Sequence, residues 1–289
     1  MFYRISATFS LMGTCWRVLR KDKEILFFPL LSSIICLSIL FAFGYHFSAE
    51  NRISELRNNE VLSIVVGISL LYSITFIVAL FNVGVIACAN IRLQGGNPGV
   101  GDGFKAMFSS LLSVMGWVII VTTVGVVLNL IAKRSKNLGR FIADLLGTAW
   151  EIASFFVLPL IVIEKISPLS ALKDSSSKIK DTWGEHLTSN FSFGIIFFVC
   201  AIPGIVVLYF GIAKINYIVI GIAIAFFILL ALVNSTLETI FRVVLYYYVY
   251  HNFVHDEFNE KALEECYASK NGPNDPGTGL PRTSPGFTR

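Results

Sequence analysis

Asp144, Thr148 and Glu151 stand at i, i+4 and i+7 within an apolar run, so one helix face carries two carboxyls and a hydroxyl. Glu151 is the eleventh of the 23 residues from Phe141 to Ile163, near the centre of any bilayer that run crosses. An ionised carboxylate at that depth costs at least about 2.5–3.5 kcal/mol, and no lysine or arginine occurs as deep in any other apolar run. The acid is therefore expected to shed its charge or to face a hydrated cavity. Two roles fit. One is a relay or pocket for a proton, cation or polar solute; the other is a neutral carboxyl bonded to a facing helix through groups such as Asn129 or Thr122.

A second kind of chemistry is charge held against apolar surface. Ser167-Pro168 opens SPLSALKDSSSKIKDTWGEHL with a side-chain cap and a proline at the first helical position. Leu169, Leu172, Ile179, Trp183 and Leu187 recur on one side, with Lys173 and Lys180 available for phosphates. Residues 1–24 place Phe2, Ile5, Phe9, Met12, Trp16 and Leu19 on one stripe, with Arg17, Arg20 and Lys21 mostly off it. Both segments read as amphipathic interfacial helices, touching lipid headgroups or packing under the protein itself.

Other sets carry less. Glu238 and Arg242, at i, i+4, form a favourable pair across one turn and read as an anchor. His251 and His255 have the spacing of a metal pair but no third ligand at a convincing distance in sequence, so no metal and no cofactor are expected. The five cysteines are scattered without a CxxC and read as small packing residues. In QGGNPGVGDGF, five glycines and a proline are expected to forbid a helix. Without a preceding strand its GVGDG is a link and not a phosphate cradle. No nucleophile elbow, HExxH or Walker loop is present, so an enzyme is not expected.

The elements that must position these residues follow from hydropathy. Of 289 residues 55% are hydrophobic and 15% charged, and the mean hydropathy is +0.70. The apolar residues come in long blocks, the profile of a membrane domain. Six spans are expected, at about 25–47, 61–91, 108–131, 141–163, 191–213 and 217–237. The first is too long, and begins too late, for a cleaved signal. The second, at 31 residues against the ~20 a crossing needs, must tilt or project. The expected fold is thus an all-α integral membrane protein: an interfacial helix over 1–24, a six-helix transmembrane domain over 25–258 with a cytoplasmic interfacial helix at 168–187, and a largely disordered tail at 259–289. With the amino terminus inside, sixteen of the 23 basic residues fall on the cytoplasmic side and seven outside, which places both termini in the cytoplasm. Lys133, Arg134, Lys136 and Arg140 run against that rule. The basic residues form no stripe that could follow phosphates of nucleic acid, so nucleic acid is excluded as a partner.

A set of short motifs points further. They are Trp16-Arg17-Val18-Leu19, Asp22-Lys23-Glu24, Phe28-Pro29, Pro98 with Asp102-Gly103-Phe104, Trp150, Pro159, Glu164, Ala171-Leu172 with Ser175, Trp183-Gly184-Glu185 and the tyrosine-rich stretch after Arg242. Through them the chain resembles a family of six-pass membrane proteins of bacteria and archaea defined only as a domain of unknown function. It is more loosely similar to the membrane domain attached to some glycerophosphodiester phosphodiesterases. The resemblance implies a helical fold in the cytoplasmic (inner) membrane and supplies no activity. Three roles stay open: a non-enzymatic scaffold or lipid-interacting protein, which is favoured; a small permease or channel using Asp144 and Glu151; and a lipid-acting enzyme or its accessory. Membrane lipids are the expected partners, with a second copy or another membrane protein beside them.

Overall fold

The computed structural model describes residues 2–49, 58–134, 138–183 and 193–251, and every described element is helical. The chain divides into two compact units, Asp22–Ser175 and a second made of Met1–Lys21 with Ser176–Arg289. Five stretches among the described residues are long and apolar enough to cross a membrane: Lys23–Ser48, Glu60–Leu93, Leu111–Arg134, Leu138–Glu164 and Tyr217–His251. Phe197–Ala213 is a shorter apolar helix. His255, Cys266 and the tail at 259–289 lie outside the described residues, as do residues 184–187 of the expected interfacial helix.

The larger unit starts with a 3-10 turn at Lys23–Leu26, then α2 (Phe27–Ala49), α3 (Glu60–Leu93), α4 (Val100–Ser109), α5 (Leu111–Arg134) and α6 (Leu138–Ala153). Its core sits at one end of these helices. Ile25 from the 3-10 turn, Phe28 from the start of α2, Val83–Ala89 and Leu93 from the end of α3, Met107, Val114 and Trp117 are buried, whereas Leu37, Phe41, Val61, Ile64, Leu130 and Phe141 are exposed. Lipid tails are as apolar as leucine, so side chains facing them gain little by packing; water at the other end supplies the drive to bury. The 34-residue α3 is about 50 Å long, well beyond ~30 Å of hydrocarbon, and its last turns project into that core.

Two local features depart from the hydropathy reading. Val100–Ser109 is helical although it holds two of the five glycines and is capped by a third: Asp102 accepts a hydrogen bond from Gly99 N at 2.9 Å and so caps the first turn. The fourth apolar block is also interrupted, since α6 ends at Ala153 and the chain resumes as a turn at Val157–Pro159 and a π-helical stretch at Leu160–Glu164. Pro159 has no N–H to offer the carbonyl of Phe155, and its ring excludes that carbonyl from the helical position. Lys165 then takes a left-handed conformation, φ 57°, before α7 (Pro168–Trp183) begins with Ser167 Oγ accepting from Ser170 N at 3.3 Å.

The second unit contains α1 (Phe2–Lys21), the second half of α7, α8 (Phe193–Ala213) and α9 (Tyr217–His251), with α1 and α8 both packed on α9. Among the described side chains of α1, Thr14, Cys15, Val18 and Leu19 are buried, while Trp16 is exposed. Burial pushes the Cys15 thiol up, and it stays protonated. The hairpin between α8 and α9 closes through Asn216 N to Gly211 O and Ile215 N to Ile212 O, with Asn216 Oδ1 capping Ile218 N at 3.1 Å. Glycines at 204 and 211 let the two helices approach: a methyl at Gly204 would meet Phe226, and one at Gly211 would meet Ile220. Gly125 and Gly221, by contrast, have nothing within 4 Å of an added Cβ. The turn places Ile215 at φ 50°, a conformation in which a β-branched side chain is strained. Ile215→Gly is expected to raise stability by about 1 kcal/mol, read as a higher unfolding midpoint in detergent; a lowered midpoint would contradict it.

Candidate functional site

α6 meets α5 along small residues. Gly139 and Ala143 are buried, Gly147 lies 3.8 Å (measured from a Cβ added there) from Leu128 Cδ1, and Trp150 stacks on Trp117 with ring centroids 5.8 Å apart. Asp144, Thr148 and Glu151 lie off this seam on an exposed flank. Thr148 Oγ1 donates to Asp144 O at 2.9 Å and Ser154 Oγ to Glu151 O at 3.3 Å, both within the helix. Neither carboxylate has a side-chain partner among the described residues. Asn129 is exposed, and the buried hydroxyl of Thr122 has no partner there either. The structure therefore brings neither of these groups to the acids.

The basic residues are distributed differently. Arg17 Nη2 donates to Thr14 Oγ1 at 2.9 Å, and Arg20 and Lys21 are exposed at the end of α1. α7 buries Ala171, Ser175 and Ile179, at steps of four, and this leaves Leu169, Lys173 and Lys180 together on its exposed side. The small Ala171 and Ser175 allow the close approach in which Ser175 Oγ accepts from Phe156 N at 3.2 Å, stitching the helix break.

Four contacts were invisible to spacing arguments. Arg92 holds Asp22 with two hydrogen bonds, Nε to Oδ2 and Nη2 to Oδ1, and Nη2 also donates to Asn97 Oδ1 at 2.9 Å. Phe28 fills a slot between Gly84 and Gly103, edge-on to Phe27 and 5.6 Å from Phe104. Lys165 Nζ donates to Ser109 Oγ at 3.3 Å across 56 positions. In the second unit, Tyr246 OH lies 3.2 Å from His251 Nε2, Tyr246 stacks on Tyr250, and Lys178 Nζ lies 5.7 Å from the Tyr250 ring centroid. Glu238 and Arg242 pair at 2.6 Å. Among the described residues no three His, Cys, Asp or Glu side chains converge to hold a metal.

Long apolar helices, exposed apolar halves and charge gathered at their ends define a polytopic α-helical membrane protein. The chain belongs to the DUF6159 family, a family of unknown function, whose profile matches residues 61–255. No curated protein and no solved structure matches it.

Proposed function

We propose that the protein is a non-enzymatic, lipid-binding scaffold of the cytoplasmic membrane. It crosses the bilayer six times, with α8 as the fifth span in order, and keeps both termini in the cytoplasm. The observation that carries this reading is the exposed face of α7, where Leu169 accompanies Lys173 and Lys180 while the opposite face is committed to packing. An apolar insert with flanking ammonium groups suits an anionic leaflet. Exposed Arg20 and Lys21 on α1 add charge of the same sign.

A second reading, a small permease, draws on the broken fourth span. Interrupted helices and π-helical turns recur where membrane proteins bind ions, and here the break follows Glu151 by three residues.

One set of reconstitutions separates them. Lys173→Gln with Lys180→Gln should lower retention of phosphatidylglycerol about thirty-fold, at roughly 1 kcal/mol per lysine near the surface. Glu151→Gln should leave retention unchanged and carry no flux phenotype. Unaltered retention in the lysine variant would count against the scaffold, and a proton or cation flux abolished by Glu151→Gln would establish the permease.

A further inference from the structure

Lys165 is the first residue after the fourth membrane stretch, and Ser109 lies just before the third, so their contact joins two ends at the same membrane boundary. Around it the surface is strongly apolar. Phe108 is 74% exposed, Leu112 82% and Leu169 68%. Pro168 Cγ lies 3.5 Å from where a Cβ on Gly116 would be, which keeps the start of α7, and with it Leu169, against the α4–α5 elbow. Lys105, one turn before Ser109 on α4, is also exposed. The acids nearest in sequence are Asp102, engaged at Gly99 N, and Glu164, exposed beside Lys165.

The backbone of Lys165 sharpens the point. A left-handed residue at the end of a helical segment is commonly glycine, which adopts that conformation with least strain. A lysine there keeps the strain and contributes an ammonium held toward Ser109.

We propose that Lys165, Ser109 and Lys105 bind the phosphate of one anionic phospholipid, whose acyl chains lie along Phe108, Leu112 and Leu169. The apolar rim selects a lipid over a soluble phosphate, and the position at the ends of two spans is where lipid phosphates lie. This rests on the lipid-binding reading above but places the tight site on the elbow, adjoining the Lys173/Lys180 face at Leu169 and drawing its cations from Lys105 and Lys165 instead.

The test is native mass spectrometry of the full chain, released into detergent from nanodiscs of phosphatidylcholine with a minority of phosphatidylglycerol. Lys165→Gly suits the local backbone, so it should fold at least as well as the parent, with an equal or higher thermal midpoint. It should nonetheless retain phosphatidylglycerol about five-fold less, while Lys165→Arg should keep it. Retention equal to the parent in folded Lys165→Gly would overturn the site, as would equal loss in Lys165→Arg. If Lys173→Gln/Lys180→Gln loses lipid while Lys165→Gly does not, the elbow site fails and the wider reading stands. If Lys165→Gly alone loses it, the site stands and the α7 face is not the binding surface.

Discussion

Arg92→Leu should destabilise the protein by about 3 kcal/mol, seen as a lower midpoint when the purified protein is titrated with denaturing detergent. The cost arises on the other side of the pair. Asp22, whose side chain is only 6% exposed, would keep its charge and lose the guanidinium that grips both its oxygens. Arg92 itself is 23% exposed, so water recovers part of the loss and the figure sits at the low end for a broken buried pair. Asn97 would also be released, and with it the Gly95–Gly96 turn, whose bonds to Arg92 O and Ile91 O close α3. Adding Asp22→Asn to Arg92→Leu removes the stranded charge and should recover at least half of the deficit. A double variant no more stable than Arg92→Leu alone would show that the pair is peripheral.

Gly103→Ala should cost about 1–3 kcal/mol, a large penalty for one methyl group. A Cβ there overlaps the tip of the Phe28 ring, and the ring has little room to give because Gly84 already approaches its Cδ1–Cε1 edge closely enough to exclude a methyl of its own. Phe28 is fully buried, so displacing it opens a void while α4 shifts. Gly101→Ala is the matched control, since nothing lies within 4 Å of that position. Shortening the ring with Phe28→Leu should relieve much of the Gly103→Ala penalty; additive losses in the double variant would contradict a direct clash.

Hydropathy carries across long blocks, and for that reason the helical membrane architecture was legible in the sequence. Each long stretch is tens of residues of one character, and no local choice can reverse it. The Asp22–Arg92 pair was not legible, because 70 positions separate two residues with no periodic relation. Gly103 was misread for a different reason. Glycine opposes a helix through backbone entropy, but at this position the missing side chain is what admits Phe28, and packing outweighs propensity. The helix break had a signal in Pro159, whose effect falls four residues upstream among Ser154, Phe155 and Phe156, where nothing in the residues themselves suggests a turn. Of the candidate site residues, spacing placed Asp144, Thr148 and Glu151 on one face, and that needs only helical geometry. What faces the stripe depends on the neighbouring helices, and no arithmetic on one segment supplies it.

The bond from Phe156 N to Ser175 Oγ spans 19 residues. A ribosome adding about 5–20 residues per second needs roughly one to four seconds to pass from the first to the second. Throughout that interval the fourth segment runs ahead of Ser175, and its interrupted turn lacks the hydroxyl that later seals it. The nascent chain thus holds an open seam whose closure waits on synthesis of α7, so the order of translation is also the order in which this part of the molecule becomes stable.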